Sequence, residues 1–431
     1  MSDDSLKESA ERVGERMIAR IASLYPICRS ITGNGVRETL RRIGEEIPLK
    51  LHEVATGAKV FDWEVPREWN IRDAWIKTPD GGKIARFREH NLHVLNYSVP
   101  IHEKMDLEKL RPHLFTLPEH PDWIPYKTSY YRDNWGFCLS HNEYLTLPEG
   151  EYEVYIDSTL EPGSLTYGEL LIPGESEREV LLSCHVCHPS LANDNLSGIA
   201  LMTELGKWLR EQPRRYSYRL LFIPGTIGSI TWLARNEEKT ERIEHGLVVT
   251  CVGDPGAFTY KKSRRGNAFI DRAVLHLLRQ RGEPFNEIDF YPYGYDERQY
   301  CSPGFNLPVG SLSRSSHGQY PEYHTSADNL DLVDAGSLVA SLALYREVVE
   351  IIESNTVYVS LNPKCEPQLG KRGLYNQIGG PSGSRVNEMA LLWVLNLADG
   401  EHDLLDMAER SGHPHEEIRR AAEAWYSGYW P

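Results

Sequence analysis

Residues 183–198 read SCHVCHPSLANDNLSG, and this stretch decides the predicted fold. It follows an apolar run that predicts a buried strand, and it leads into an amphipathic run over residues 199–209 that predicts a helix. His185 and His188 therefore fall where a strand ends, and Asp194 falls just before a helix begins. Open α/β sheets bind their ligands at the carboxyl ends of strands, so these side chains are candidates for a binding site.

Imidazole nitrogens and carboxylate oxygens are common ligands of Zn²⁺. A third histidine, His324, stands far downstream and is followed by Asp328. The first stretch also has structural alternatives, since Asp194 and Asn195 can cap the following helix and a His-x-x-His can be ordinary loop polarity. The second segment is what favours a metal site, and together the two segments predict a metallohydrolase.

Composition limits the function classes. At 431 residues the chain is expected to form two or three domains, and its net charge of −15 argues against nucleic acid as a partner. The sequence holds no apolar run of roughly 18 residues, so we expect no membrane span. The charged N-terminal segment lacks the apolar core of a signal peptide, and the seven scattered cysteines suit a reducing compartment, which together predict a cytoplasmic protein.

Strands and helices alternate through the middle of the chain, which predicts an α/β sheet flanked by helices. The predicted strands cover residues 179–184, 218–223, 246–252 and 307–312. The predicted helices cover residues 197–211, 228–237, 266–281 and 335–354, preceded by N-terminal helices over 6–24 and 35–46. The predicted α/β domain is discontinuous, over residues 1–51 and 161–358.

Two further domains are predicted. Residues 52–160 are dense in aromatics, prolines and short alternating runs, which predicts an inserted β-rich domain. Its aromatics either form the core of a small β domain, which their density favours, or line a sugar-binding face. Residues 359–431 contain three short predicted helices and predict a winged-helix-like domain. From residue 385 on, this domain has four arginines, no lysine and nine acidic residues, which favours docking to a protein or a second copy over DNA binding.

Two signatures resemble a known family. His185 and residues 194–198, DNLSG, match the strand-ending histidine and the "DNxSG" signature of the co-catalytic zinc peptidases with an aminopeptidase-like fold. Residues 323–331, YHTSADNLD, match the last signature of that family, and residues 294–297, GYDE, resemble its "GSDH" loop. The inserted β module and the winged-helix tail resemble a narrower group, the aminopeptidase-like proteins often grouped with bacterial surface-polysaccharide biosynthesis.

This resemblance implies metal ligation by His185, Asp194 and His324. The sequence departs from the family where paired glutamates, one the general base and one a zinc ligand, would follow the next strand, because Gly225 and Thr226 stand there. After the following strand, Thr250 or Cys251 replaces an aspartate ligand of the family. Since two carboxylate ligands are missing, we expect a single zinc ion, with one position open for water.

The catalytic base must then come from elsewhere, and the loop resembling "GSDH" supplies the candidates Glu297 and Asp296. Glu297 is alternatively a surface ion-pair partner of Arg298 or Arg264, and Glu322 is a second candidate for the base. Substrate binding is predicted for His188, Arg298 and Arg314, and the alternative for Arg314, considered together with His317, is an ordinary exposed loop.

The predicted function is a zinc-dependent, metallo-aminopeptidase-like hydrolase. It acts on an amide bond of a small substrate, either a peptide or an acylated amino sugar, and the resemblance links it to polysaccharide biosynthesis. One alternative is a zinc-containing binding protein that lost turnover, which the missing glutamates motivate. The other is a regulator acting through the C-terminal helices. The sequence contains no GxSxG, GxxxxGK[ST] or GxGxxG motif, so serine hydrolases and nucleotide-binding enzymes lack support.

Overall fold

A computed structural model of the protein describes residues 3–369 and 387–426, and its largest feature is an eight-stranded mixed sheet. In chain order the strands are β1 (Lys50–Ala55), β2 (Ser164–Ile172), β3 (Glu179–His185), β4 (Ser217–Ile223), β5 (Ile243–Val249), β6 (Phe258–Lys261), β7 (Phe285–Ile288) and β8 (Val309–Ser313). Their order across the sheet is β1-β2-β4-β3-β5-β8-β6-β7.

The centre of this sheet is parallel. Strand β3 pairs in parallel with β4 on one side and with β5 on the other, so the chain changes direction across the sheet at β3. Every residue of β3 and β4 is buried, as expected for parallel strands covered on both faces. A crevice forms at the carboxyl end of a strand with this topology, and His185 is the last residue of β3.

The predicted α/β fold is confirmed, with element bounds shifted by a few residues. The helices include Asp3–Leu24, Asn34–Gly44, Gly198–Leu209, Ile227–Arg235, Phe269–Arg281, Glu297–Tyr300 and Ala335–Ser354. The strand predicted over 246–252 ends instead at Val249, because the chain turns there and Cys251 adopts a left-handed φ of 49°. The sequence patterns predict none of the strands β1, β2, β6 and β7. Of these, β1 and β2 lie where the aromatic-rich pattern begins and ends.

Between β1 and β2 the chain forms a second, four-stranded antiparallel sheet, with the order Lys83–Ile84, Glu68–Lys77, Glu151–Glu161, Ile101–Asp106. Shorter pairs join Lys59–Val60 to Trp63–Glu64 and Leu114–Phe115 to Phe137–Cys138. Several aromatics of the insert are buried, namely Trp69, Tyr97, Tyr126, Phe137 and Tyr152. Phe61, Trp63 and Tyr131 are about half exposed, at 52%, 48% and 50%. The predicted domain boundaries at residues 51/52 and 160/161 stay predictions.

The chain divides into two compact units, Met1–Ala268 with Pro284–Ala343 and Phe269–Glu283 with Leu344–Pro431. The second unit contains the helices Glu388–Leu397, Leu404–Ser411 and His415–Tyr426, and a strand pair joins Val357–Val359 to Asp399–Asp403. Side chains cap two helix starts: Asn387 caps the first helix, and Asp403 and Asp406 form a capping box on the second. The second helix ends at Gly412, whose backbone is left-handed with φ 74°. Residues 370–386 of the predicted C-terminal domain lie outside the described residues.

Within the described ranges, no helix is long and apolar enough to cross a membrane. The seven cysteines all carry free thiols. The cytoplasmic location stays a prediction.

We predict that the second unit loses stability in mild acid through two buried histidines. The backbone N–H of His415, at the start of the last helix, donates to Nε2 of His276 at 3.2 Å. Burial lowers the pKa of both imidazoles, that of His415 to about 4. A histidine in the unfolded chain has a pKa of about 6.5. The two neutral imidazoles therefore contribute their full stability to the folded unit above that pH, and this contribution is lost as the pH falls toward about 4.

Urea denaturation between pH 7 and pH 4.5, followed by hydrogen exchange of helix His415–Tyr426, measures this effect. The variant His276→Gln keeps an amide oxygen that can accept the same bond but does not titrate, so its stability should depend less steeply on pH. An equally steep dependence in the variant would contradict the assignment to His276.

Candidate metal centre

The Asp194 carboxylate lies at the centre of a buried cluster of polar side chains. Nε2 of His185 lies 2.7 Å from its Oδ1, and Nε2 of His324 lies 3.0 Å from its Oδ2. The Tyr295 hydroxyl also donates to Oδ2, at 2.7 Å. The three predicted metal ligands are therefore brought together, because His185 and His324, which lie far apart in the chain, both contact the Asp194 carboxylate.

His188 joins this group. Its ring centroid lies 4.8 Å from that of His185 and 5.0 Å from that of His324. Potential ligand atoms of His185, His188 and Asp194 all lie within 4.8 Å of one another. Burial lowers the pKa of His188 well below its usual range, and this favours the neutral imidazole, the form that binds metals.

The charge of Asp194 is well compensated. Burial by itself raises the pKa of a carboxyl group, but the nearby His188 and His185, with the hydrogen bonds from His185 and His324, outweigh it. The pKa of Asp194 is therefore held well below its usual range. The Asp194 carboxyl group is therefore held in its ionised form, the form in which a carboxylate binds a metal ion.

Asn195 of the DNLSG signature fixes the adjoining backbone. Its Nδ2 donates to the Val249 carbonyl at 3.0 Å, and its Oδ1 accepts from the N–H of Cys251 at 3.3 Å and of Gly198 at 3.2 Å. The helix-capping alternative raised for this signature therefore applies to Asn195, whose oxygen meets the first turn of helix Gly198–Leu209. The Asp194 carboxylate is left to the site.

Asp328 links the two signatures. Its carboxylate accepts the backbone N–H of Asn193 at 2.6 Å and of Asp194 at 3.0 Å, and the hydroxyl of Tyr320 donates to it at 3.3 Å. Burial raises the pKa of Asp328 to about 7. One carboxylate thus satisfies two buried donors of the loop that presents Asp194, which explains the aspartate at this position of the signature.

His324 is held in an uncommon backbone conformation, with φ 57°. Tyr323 stacks on its ring at a centroid distance of 3.9 Å. The inserted module supports it from the other side, because the N–H of Tyr126 donates to the His324 carbonyl at 2.8 Å and the Tyr126 ring lies edge-on at 5.1 Å. Sequence reasoning missed this role of Tyr126, and no sequence signal connects two residues so far apart.

The donor set suits one zinc ion. Imidazoles of His185, His188 and His324 and the Asp194 carboxylate supply the nitrogen and oxygen ligands that zinc takes. The nearby Asp254 does not replace a missing ligand, because its carboxylate accepts bonds from Asn193 at 2.9 Å and Ser315 at 2.5 Å. Metal binding itself stays a prediction.

A second buried carboxylate, Asp296, lies beside Gly225, where the zinc peptidases have a glutamate. A Cβ atom at Gly225 would lie only 3.5 and 3.7 Å from the two Asp296 oxygens and 3.1 Å from Cβ of His185. Ser229 donates to Oδ1 of Asp296 at 2.7 Å, whereas Oδ2 has no hydrogen-bond partner among the described residues. Burial raises the pKa of Asp296 to about 6.

The remaining predicted site residues have different surroundings. Glu297 is buried and pairs with Lys261 at 2.9 Å, instead of with Arg298 or Arg264. Arg298 is half-buried, and its charge lowers the pKa of Asp296 somewhat. Arg314 donates to the Gly256 carbonyl at 2.7 Å and to the Ser341 hydroxyl at 3.1 Å, both of which are structural contacts. The predicted substrate-binding roles of Arg298 and Arg314 stay predictions.

Comparison with known families and proteins gives three matches along the chain. A family model described as a domain of unknown function, DUF4910, matches residues 18–355, and a winged helix-turn-helix model matches residues 356–428. A relative from Clostridium acetobutylicum is named "Putative polysaccharide biosynthesis protein with aminopeptidase-like domain". It is 53% identical over 421 residues, which cover 98% of this chain and 96% of the relative.

Three solved structures are similar to this chain. A crystal structure of a "putative peptidase" from Clostridium acetobutylicum matches with a TM-score of 0.93 at 51% identity, over 98% of this chain and 97% of that one. BSAP, a zinc aminopeptidase from Bacillus subtilis, matches with a TM-score of 0.57 at 11% identity, over 79% and 94%. A peptidase M28 precursor from Shewanella amazonensis matches with 0.54 at 14%, over 82% and 97%. The low identities of the last two show the fold alone, and the predicted aminopeptidase-like fold is confirmed.

We predict that Asp328→Ala destabilises the first unit by roughly 2 to 4 kcal/mol, because two buried N–H groups lose their acceptor. Chemical denaturation measures the change. Asp331→Ala is the matched control, since this aspartate lies on the same loop and is exposed, and it should change stability by less than about 0.5 kcal/mol. Equal effects of the two substitutions would show that Asp328 does not hold the loop.

Proposed function

We propose that this chain, which belongs to the family of the DUF4910 domain, is a zinc-dependent hydrolase that cleaves an amide bond. The observation that carries the proposal is one constellation: three imidazoles around the buried Asp194 carboxylate, with the second carboxylate of Asp296 beside Gly225. The name of the Clostridium relative supports a substrate linked to polysaccharide biosynthesis, either a peptide or an acylated amino sugar.

The residues that would hold the ion are His185, Asp194 and His324, with His188 as a further donor or a contact to substrate. When bound there, zinc acts as a Lewis acid toward the scissile carbonyl. We propose one ion, because Gly225 and Thr226 supply no carboxylate where a second ion would need one.

The protein's own residues supply the proton transfers. Asp296 accepts a proton from the attacking water as the new C–O bond forms, and it returns this proton to the leaving amine nitrogen as the C–N bond breaks. Its Oδ2, which has no hydrogen-bond partner in the described part of the chain, is the accepting atom, while Ser229 keeps the carboxylate in place through Oδ1. A pKa of about 6 suits this role, since the group is ionised at neutral pH and still basic enough to take a proton.

Tyr295 links the two carboxylates of the site. Its hydroxyl donates to Asp194, and its ring stacks on His185 with a centroid distance of 4.4 Å. Since Tyr295 precedes Asp296 in the chain, these two contacts set how far Asp296 stands from the metal ligands. Tyr126 of the insert forms another wall of the site. Its ring lies edge-on to those of His188 and His324, at centroid distances of 5.2 and 5.1 Å.

We predict that the purified protein carries about one zinc ion per chain, since the donor set holds a single tetrahedral ion. Mass spectrometry measures the metal content of the wild type beside Asp194→Asn and His324→Ala, and both variants should lose the ion. His102→Ala, on the exposed face of the insert, is the control and should keep it. A folded wild-type protein that takes up no zinc would contradict the proposal of a zinc-dependent hydrolase. Two ions per chain would mean that further ligands exist.

We predict that Asp296→Asn lowers kcat/KM by roughly 10²- to 10⁴-fold while zinc content is unchanged, because the amide cannot accept the proton. The assay incubates zinc-loaded protein with a panel of short peptides and N-acylated hexosamines and detects the free amine by mass spectrometry. Asp289→Asn is the control, since Asp289 lies on the same loop with a side chain 87% exposed. Equal rates for Asp296→Asn and wild type would rule out Asp296 as the proton acceptor.

The pH profile gives an independent reading of the same residue. Only the ionised carboxylate accepts a proton, so the wild-type rate should be constant at neutral pH and fall as the pH drops through about 6. The residual rate of Asp296→Asn should lack this acidic limb.

One alternative is a zinc-containing binding protein without turnover, favoured by the absence of the paired glutamates. A metal-loaded wild-type protein that binds members of the panel but cleaves none would support it. The other is a regulator acting through the C-terminal helices. Two arginines of the last helix are locally neutralised, because Arg419 pairs with Glu416 and Glu423 and Arg420 pairs with Glu416. This pairing supports a protein partner or a second copy over nucleic acid.

A further inference from the structure

The structure assigns a positioning role to the buried ion pair of Lys261 and Glu297: it holds the loop over residues 290–297, which carries Tyr295 and Asp296 into the site. The inference deepens the proposed function and rests on it for the role of Asp296. Lys261 lies at the end of β6, outside both family signatures, and nothing in its sequence neighbourhood points to the site.

The ion pair is almost completely removed from water. Nζ of Lys261 donates to Oε1 of Glu297 at 2.9 Å, and the two side chains are only 5% and 1% exposed. Breaking a buried pair by removing one partner leaves an uncompensated charge, so each side chain depends on the other. The sheet fixes the position of Lys261, because Lys261 is the last residue of β6. The ion pair can therefore anchor the 290–297 loop to the sheet.

The same ammonium group also holds the beginning of the loop. Nζ of Lys261 donates to the Tyr293 carbonyl at 2.6 Å. It lies 4.1 Å from the ring centroid of Tyr291 and 5.2 Å from that of Phe290, within the range of cation–π attraction. The Lys261 ammonium group therefore contacts three residues of the first half of the 290–297 loop.

Glu297 holds the end of the loop. Its Oε2 accepts the backbone N–H of Tyr295 at 3.1 Å, while Oε1 is taken by Lys261. Gly294 lets the chain pass this close, because its φ is 158° and a Cβ atom there would lie 1.9 Å from Oε1 of Glu297. Both carboxylate oxygens are thus engaged, which is why the proton-accepting role falls to Asp296 and the positioning role to Glu297.

The consequence for the site is direct. Tyr295 and Asp296 lie between Tyr293, which Lys261 holds, and Glu297. They contact Asp194 and Ser229 through bonds of 2.7 Å each. Displacements of about 1 Å at a reacting group are enough to reduce a rate by about 10²-fold. A loosened loop would therefore move the proton acceptor away from the metal ligands.

The test uses the full-length protein with Lys261→Met, Glu297→Gln and the double variant. The double variant leaves no unpaired buried charge, so it should recover most of the thermal stability that each single variant loses. Its loop should nevertheless remain loose. Hydrogen–deuterium exchange in peptides covering residues 290–300 should be about tenfold faster than in the wild type, because the N–H of Tyr295 loses a charged acceptor.

A matched control keeps the readout specific. Lys262→Met removes the neighbouring ion pairs of Lys262 with Glu287 at 2.8 Å and with Asp289 at 2.7 Å, both outside the 290–297 loop, and exchange over residues 290–300 should stay at the wild-type rate. Wild-type exchange in the folded double variant would overturn the positioning role, as would equal acceleration in Lys262→Met. This readout requires neither substrate nor metal, so it decides the role of the pair even if the wild-type protein hydrolyses nothing.

The kinetic arm connects the pair to the chemistry. If the proposed function holds, kcat of the double variant should fall roughly 10- to 100-fold while KM changes little, because loop position affects the proton acceptor and not the substrate wall. Unchanged kcat with a loosened loop would overturn the link between this loop and the proton transfer.

Discussion

A negative charge with no access to water is the constraint on which this structure depends. The Asp194 carboxylate is completely buried, and an isolated carboxylate in such surroundings would be too costly to keep ionised. His185, His324 and Tyr295 compensate it from three separate segments. The end of β3, the 290–297 loop and the last signature therefore come together at the Asp194 carboxylate. Their meeting point defines the crevice.

The carboxylate that we propose as the proton acceptor comes from a different part of the chain than the glutamate of the zinc peptidases that the sequence resembles. In the zinc peptidases that the sequence resembles, a glutamate follows the strand equivalent to β4. Here Gly225 leaves that volume empty of side chain, and Asp296 enters it from the loop after β7. A residue on a loop needs support that a strand end provides by itself, and the buried pair of Lys261 and Glu297 is suited to supply it.

The inserted module is part of the site. Backbone hydrogen bonds join Tyr126 to His324 and Ser326 to Ile124, so a short segment of the insert pairs with the signature that carries the last metal-ligand candidate. The left-handed backbone of His324 is thereby held from both sides. A sequence inserted early in the α/β fold thus shapes the wall of a site whose other residues all come from the chain that follows it.

The sequence by itself determined the fold class, because helix and strand periodicity are local properties of the chain. Its two signatures, which resemble those of the zinc peptidases, supplied the three metal-ligand candidates. It predicted Asp296 and Glu297 as a pair of candidates but could not separate their roles. Only the tertiary structure gave Glu297 its partner, Lys261 in place of Arg298 or Arg264, and put Asp296 beside Gly225. The physical reason is that the order of strands across a sheet, which no local pattern encodes, decides which distant charges share a desolvated space.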